Sequence, residues 1–145
     1  MKIRQILQGK TVNALYSVGS DETVLDALRL MADKNIGAVL VIDQNVLTGI
    51  FSERDYARKI ILKDRHSDDT RIADVMTPNV ITIEPDQTME ECMVIMSDKH
   101  IRHLPVMDKG ELIGIISIND VVSAIIRDQK TRIDSLESYI SGSLY

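Results

Sequence analysis

Aromatic residues and cysteine are scarce in this chain of 145 residues, which has four Tyr, one Phe, no Trp and a single cysteine. So few aromatic side chains leave few platforms on which nucleic-acid bases could stack. One cysteine cannot form an internal disulfide, so we expect a reducing compartment and a cytoplasmic protein. Cys92 falls on the apolar side of a predicted helix. We therefore expect it to pack in the core rather than to serve as a reactive thiol.

Long apolar runs and an excess of positive charge are also missing. The longest apolar stretch, residues 36–42, has about seven residues, whereas a membrane span needs about 20. No apolar signal core follows the first five residues, so we expect neither a membrane protein nor a secreted one. The net charge of −5 argues against a nucleic-acid partner, because such proteins usually carry a strongly basic face.

Sequence motifs of catalysis and of metal binding are absent. The chain has no Walker phosphate loop, no Gly-x-Gly-x-x-Gly, no Gly-x-Ser-x-Gly and no His-Glu-x-x-His. His100 and His103 have His-x-x-His spacing, but a helix is predicted to end and a strand to begin between them. No cluster of carboxylates and cysteines accompanies the pair, so we expect no metal site.

One segment of the chain appears twice, 65 positions apart. Thirteen of the 35 residues from 21 to 55 recur without a gap in residues 86 to 120. The identical pairs are Asp21/Asp86, Thr23/Thr88, Met31/Met96, Asp33/Asp98, Lys34/Lys99, Ile36/Ile101, Val41/Val106, Asp43/Asp108, Leu47/Leu112, Gly49/Gly114, Ile50/Ile115, Ser52/Ser117 and Asp55/Asp120. Two copies at this long period indicate a duplicated small domain rather than a solenoid. Each copy is near the lower size limit for a stable core, so we expect the two to pack together.

Both copies predict the same α/β (α+β) order of strand, helix, strand, strand, helix. An N-cap candidate, Ser20 or Asp21 in one copy and Asp86 in the other, precedes apolar residues at helical spacing. Those apolar residues are Val24, Ala27, Leu28 and Met31, and then Met89, Cys92, Met93 and Met96. Apolar runs at 38–42 and 46–51, and at 104–107 and 112–116, predict two hairpins. Short strands are predicted before them at 14–18 and 80–83.

The predicted domain boundaries follow the duplication. The first repeat is assigned to residues 1–65 and the second to residues 66–130, and the two form one module. Residues 131–145 are assigned to a separate tail helix, because Ile133, Leu136 and Ile140 stand at helical spacing.

Each copy closes on a glycine, two apolar residues and then Ser-x-x-Asp, where a strand is predicted to enter a helix. The motif runs from Gly49 to Asp55 and from Gly114 to Asp120. One interpretation is a ligand site, because exposed amides at a helix start attract phosphate and a carboxylate can accept both hydroxyls of a ribose. The other is a capping box, in which the serine and the acid only cap the helix. The spacing alone does not decide between them.

The duplicated pattern resembles a tandem pair of CBS (cystathionine β-synthase) domains, called a Bateman module, of the stand-alone bacterial type. The resemblance is carried by the two Gly-h-h-Ser-x-x-Asp motifs, by the run from Ile101 to Val106 and by Met76-Thr77-Pro78. It implies two βαββα repeats related by pseudo-two-fold symmetry, with two clefts between them. Such clefts commonly bind AMP, ADP, ATP, NAD or S-adenosylmethionine.

The resemblance also implies which residues serve each cleft. In one cleft Asp120 would hold the ribose and Ser117 and Asn119 would lie near the phosphate. The base would rest against Thr11, Tyr16, Ile36 and Val39.

In the other cleft Asp55 would hold the ribose, with Ser52 and Arg54 at the phosphate. The base pocket there would be lined by Thr77, Val80, Ile81, Ile101 and Leu104. Arg102 and His103 stand where some relatives place basic groups that face phosphate, but the matching positions of the first copy hold Gly37 and Ala38. We therefore expect the two clefts to bind differently.

The function expected from the resemblance is a regulatory sensor of adenine nucleotides that passes ligand occupancy to a regulated protein. The expected ligand is an adenosine-containing nucleotide, AMP, ADP, ATP or NAD, or S-adenosylmethionine, with no metal. Homodimerisation is also expected, and the regulated protein is not indicated by the sequence. Two alternatives stay open: a structural module with vestigial clefts, and an enzyme that hydrolyses a nucleotide with Asp55 or Asp120 as base.

Overall fold

Each sequence repeat folds as a helix, an antiparallel β-hairpin and a second helix. The computed structural model describes residues 1–10 and 14–142, so the tip of the predicted tail lies outside it. It divides into two compact units, each described by itself below. The first unit is Ala14–Thr82, and the second is Met1–Asn13 together with Ile83–Tyr145.

The first unit holds a small three-stranded sheet backed by helices. Its sheet has the order β1-β2-β3, with β1 parallel to β2 and β2 antiparallel to β3. The elements are β1 (Ser17–Val18), α2 (Val24–Lys34), β2 (Ala38–Asp43), β3 (Val46–Ser52), α3 (Glu53–Asp55) and α4 (Ile72–Val75). After α3 the chain continues in a π-helical turn, Tyr56–Ile60, and a 3₁₀ turn, Ile61–Lys63.

The second unit repeats this plan on a two-stranded sheet, β4-β5. Its elements are α1 (Ile3–Gly9), α5 (Met89–Lys99), β4 (His103–Asp108), β5 (Glu111–Ser117) and α6 (Ile118–Gly142). The two hairpins pair in the same register, Ala38 with Ser52 and His103 with Ser117. Both have an irregularity at the same place, after Val41 and after Val106. The expected βαββα fold class is confirmed.

The helices α2 and α5 begin later than predicted. Their N-caps are Thr23 and Thr88, whose side chains accept hydrogen bonds from the amides of Asp26 and Glu91. The candidates Ser20, Asp21 and Asp86 were therefore wrong. A threonine three residues before an acid makes the cap, since its hydroxyl reaches the orphan amide of the first turn.

The strand predicted before each helix is shorter than expected. Only Ser17–Val18 of residues 14–18 forms a strand, and residues 80–83 contribute a single parallel bridge from Ile83 to Val106. The helix after the second hairpin is longer than expected. It runs unbroken to Gly142, because no proline or glycine interrupts it, so residues 131–142 do not form a separate tail helix.

Each unit has an aliphatic core between its hairpin and its helices. In the first unit Val24, Ala27 and Met31 bury one face of α2 against the hairpin, around Phe51. In the second unit Met89, Cys92 and Met96 do the same for α5. Cys92 is wholly buried, as expected, whereas Met93, at helical spacing with it, is 40% exposed.

The packing units cross the repeat boundaries drawn at 65 and 66. The N-terminal helix α1 packs with the second repeat: the Ile3 amide donates to the carbonyl of Gln87 at 2.9 Å. The helix α4 packs with the first repeat in the same way, since the Ile72 amide donates to the carbonyl of Glu22 at 2.9 Å. Each hairpin therefore receives a short helix from the segment that precedes the other repeat in the chain.

A glycine in each hairpin permits this close docking. A Cβ on Gly49 would lie 2.6 Å from Sδ of Met76 and 3.1 Å from the carbonyl oxygen of Thr77. A Cβ on Gly114 would lie 2.7 Å from Cδ2 of Leu7, a flexible side-chain end. The glycine of each Gly-h-h-Ser-x-x-Asp motif thus serves packing.

Within residues 1–10 and 14–142, no helix is both long and apolar enough to cross a membrane.

We predict that Gly49→Ala lowers the free energy of unfolding by about 1–3 kcal/mol, because a methyl group there overpacks against backbone as well as side chain. Gly114→Ala is the matched control and should cost less, because only the Leu7 side chain must move. Urea unfolding followed by circular dichroism measures both. Equal losses in the two variants would contradict the docking of α4 on the first hairpin.

Candidate functional site

The Ser-x-x-Asp motif of the first unit forms reciprocal hydrogen bonds where β3 enters α3. The Ser52 amide donates to Oδ2 of Asp55 at 2.9 Å, and the Ser52 hydroxyl donates to the same oxygen at 3.0 Å. The Asp55 amide in turn donates to Oγ of Ser52 at 3.2 Å. This arrangement is a capping box, and it fixes the carboxylate of Asp55 at the strand end.

The second unit places the same motif where β5 enters α6. The Ser117 amide donates to Oδ2 of Asp120 at 2.8 Å, and the Asp120 amide donates to Oγ of Ser117 at 3.1 Å. The side chains of Asp55 and Asp120 keep 17% and 21% of their surface exposed, so both carboxylates are partly open to solvent.

A lysine contacts each aspartate, and the sequence analysis missed both. Nζ of Lys59 lies 3.2 Å from Oδ1 of Asp55, and Nζ of Lys10 lies 3.0 Å from Oδ2 of Asp120. The four-residue spacing from Asp55 to Lys59 is a signal for an ion pair on a helix and could have been noticed. Lys10 has no such signal, because it follows α1 and is distant from Asp120 in the chain. We name these clusters the Asp55 site (Ser52, Asp55, Lys59) and the Asp120 site (Lys10, Ser117, Asp120).

His103 lies beside the Asp120 site, opposite Ser117 in the hairpin. Burial lowers the pKa of its imidazole, the positive charges of Arg102 and Lys10 lower it further, and the carboxylate of Asp120 raises it. Burial is the largest of these effects, so the folded protein favours the neutral imidazole. The carbonyl of Arg102 accepts the amide of Ile118 at 2.8 Å and joins the start of β4 to the start of α6.

The other predicted residues of the first unit lie at varied depths. Thr77 is exposed, with Oγ1 3.4 Å from Nζ of Lys59, so the structure brings it to the Asp55 site. The Tyr16 ring lies 5.5 Å from Nζ of Lys34, and Val39 is wholly buried in the core. The rest are partly buried or exposed: Ile36, Arg54, Val80 and Ile81. Thr77, Val80 and Ile81 were assigned to the second copy but pack in the first unit.

The second unit holds the remaining predicted residues, except one. Leu104 is wholly buried and Ile101 packs against the same core, whereas Arg102 and Asn119 are exposed. Thr11 lies outside the described residues. No group of three or more His, Cys, Asp and Glu within residues 1–10 and 14–142 is arranged to hold a metal ion.

Two segments of the chain match the family model of the CBS domain, residues 11–62 and 72–127. The chain belongs to the CBS domain family. It is 40% identical over 128 residues to the mitochondrial CBS domain-containing protein CBSX3 of Arabidopsis thaliana, and the match covers 85% of this chain and 62% of CBSX3. The chain thus spans less than two thirds of the length of that relative.

Solved CBS structures share the fold over most of their length. A protein with CBS domains from Burkholderia ambifaria is 46% identical, with a TM-score of 0.86, and the match covers 89% of this chain and 96% of that one. CBSX2, solved in complex with AMP, is 25% identical with a TM-score of 0.72, and the match covers 88% and 98% of the two chains. The identification of two CBS repeats is confirmed.

We predict that stability falls as the pH drops below about 6.5, partly because of His103. The pKa of His103 in the folded protein is below its ordinary value of 6.5. As the pH falls, the unfolded chain therefore binds a proton at His103 before the folded protein does, and the free energy of unfolding decreases. The free energy of unfolding is measured in urea at about pH 7.5 and about pH 5.5. His103→Gln should show a smaller loss than the parent between these values. If His103→Gln loses as much stability as the parent between the two pH values, burial of this imidazole does not favour its neutral form.

Proposed function

We propose that the protein is a regulatory module that binds an adenosine-containing nucleotide through the Asp55 and Asp120 sites. The observation that carries the proposal is the repeated placement of a partly exposed carboxylate beside an ammonium group, 3.0–3.2 Å apart, at the end of a hairpin. A carboxylate can accept the two hydroxyls of a ribose, and an ammonium group that keeps a donor to spare can also donate to the ligand.

The ligand class is supported by the relative CBSX2, whose structure contains AMP. AMP is therefore the first ligand to test, and ADP, ATP, NAD and S-adenosylmethionine are the further candidates. A ligand that binds one conformation better than another shifts the population toward it, and a regulated protein that distinguishes the two conformations would respond. The coupling to that protein is limited to the difference between the two affinities.

The contacts of the Asp55 and Asp120 carboxylates favour a binding module over an enzyme. Each aspartate already accepts a hydrogen bond from a backbone amide and forms an ion pair with an ammonium group. Those contacts occupy positions of each carboxylate that a general base would need to reach a water molecule. This favours a carboxylate that accepts hydrogen bonds from a ligand over one that activates water.

A structural role is the second candidate, and the capping boxes favour it. The bonds between Ser52 and Asp55, and between Ser117 and Asp120, satisfy backbone groups without any ligand. Under this alternative the motifs only fix the junction of strand and helix.

Homodimerisation remains part of the proposal. One stripe of α6 exposes apolar side chains at spacings of seven, three and four residues, which is a heptad pattern. These side chains are 55–67% exposed: Ile126, Ile133, Leu136 and Ile140. A second copy of the chain that covered this stripe would remove it from water.

We predict that a saturating adenine nucleotide raises the unfolding temperature of the parent, since a ligand at 100 times its dissociation constant stabilises by about 2.7 kcal/mol. The double variant Asp55→Asn with Asp120→Asn should lose this shift, because both ribose acceptors lose their charge. Differential scanning fluorimetry with these four nucleotides and S-adenosylmethionine measures it.

The matched control is Asp108→Asn, which removes a carboxylate at the opposite end of β4. It should keep the full shift. If no nucleotide shifts the parent, the binding function is wrong and the motifs are helix caps. If the double variant responds as strongly as the parent, nucleotides bind elsewhere on the protein.

A further inference from the structure

The two lysines engage their aspartates differently. At the Asp55 site both carboxylate oxygens are in contact: Oδ2 accepts the amide and the hydroxyl of Ser52, and Oδ1 forms an ion pair with Nζ of Lys59 at 3.2 Å. At the Asp120 site the amide of Ser117 and the ammonium of Lys10 share Oδ2. Among the described residues, the hydrogen bond from Ser117 and the shortest contact with Lys10 both involve Oδ2 of Asp120, and none is found to Oδ1.

The donors of the lysines are also used to different extents. An ammonium group has three N–H donors. Lys59 has three acceptors within 3.4 Å: Oδ1 of Asp55, the carbonyl of Val75 and the hydroxyl of Thr77. Lys10 has two acceptors, Oδ2 of Asp120 and the carbonyl of Ile115, among residues 1–10 and 14–142. With respect to the described residues, one donor of Lys10 therefore has no acceptor, and it lies near Oδ1 of Asp120.

This difference follows from the two short docked helices. Pro78 restricts Thr77 to an extended backbone, and Thr77 pairs with Ile50 through both backbone bonds, at 2.9 and 3.1 Å. The chain after α4 thereby brings the Val75 carbonyl and the Thr77 hydroxyl to Lys59. In the second unit α1 ends at Gly9, so Lys10 directly follows the helix. The ammonium group of Lys10 then donates to the carbonyl of Ile115.

We propose that Lys10 and Lys59 give the two sites unequal affinities: the Asp120 site is open to a ribose diol, whereas Lys59 closes the Asp55 site. A ribose hydroxyl can donate to Oδ1 of Asp120 and can accept the remaining donor of Lys10. At the Asp55 site the same hydroxyl must first displace an ammonium group that is held by three acceptors. This inference rests on the proposed nucleotide-binding function and adds which site fills first.

Burial of the lysines sets the expected size of the effect. The Lys59 side chain is 38% exposed, so its ion pair is worth little and its removal should improve AMP binding at the Asp55 site by about two- to fivefold. The Lys10 side chain is 18% exposed and would make a charge-assisted bond to the ligand. Its removal should weaken AMP binding at the Asp120 site by about tenfold.

Calorimetric titration with AMP separates the two sites when one aspartate is removed at a time. In the Asp120→Asn background only the Asp55 site remains, and there Lys59→Met should strengthen AMP binding, whereas Lys59→Arg, which keeps the charge, should not. In the Asp55→Asn background only the Asp120 site remains, and there Lys10→Met should weaken AMP binding. Lys63→Met and Lys130→Met are matched controls on exposed lysines and should change neither affinity.

Equal affinities of the two single-site backgrounds would overturn the inference while leaving the nucleotide-binding function intact. So would a Lys59→Met variant that binds AMP no better than its background, provided that its circular dichroism spectrum and urea midpoint show a folded protein. If Lys59→Met is unfolded, Lys59→Gln, which retains a hydrogen-bond donor, replaces it with the same expected gain. If neither the four nucleotides nor S-adenosylmethionine binds to the parent, the proposed function itself is overturned, and the inference with it.

Discussion

The hydrogen bond from a serine amide to an aspartate carboxylate, at the point where each hairpin enters a helix, is the constraint on which both sites depend. It joins Ser52 to Asp55 and Ser117 to Asp120 at 2.8–2.9 Å. The bond caps the helix and at the same time fixes the direction of the carboxylate. A cap and a ligand site therefore need not exclude each other, because a carboxylate has four acceptor positions and the cap uses only some of them.

The short helices α1 and α4 connect these junctions to the rest of the chain. Each docks against the glycine of a hairpin, and the residues around its end supply the groups that contact the lysine or the aspartate. Because α1 is N-terminal to the first repeat but packs in the second unit, Lys10 reaches Asp120 from a distant part of the sequence.

The duplication at 65 positions was sufficient to predict the two hairpins, the helices that flank them and the Ser-x-x-Asp junctions. These features are local: β-branched runs, helical spacing and a cap four residues long. Lys10 was not predicted, because it belongs to a segment that matches its counterpart at another offset. Ile3 and Ile72 make equivalent bonds and are 69 positions apart, whereas their partners Gln87 and Glu22 are 65 apart. The helix caps were misplaced because several polar residues precede each helix and only Thr23 and Thr88 reach the orphan amides.

The central claim is that these carboxylates recognise the diol of a ribose. It is tested most directly by comparing the dissociation constants of AMP and of its 2′,3′-dideoxy analogue for the parent protein in the same calorimetric titration. Loss of hydrogen bonds to a charged acceptor should weaken the dideoxy analogue by about tenfold or more. Equal dissociation constants would contradict the account, because the aspartates would then hold the fold without touching the sugar.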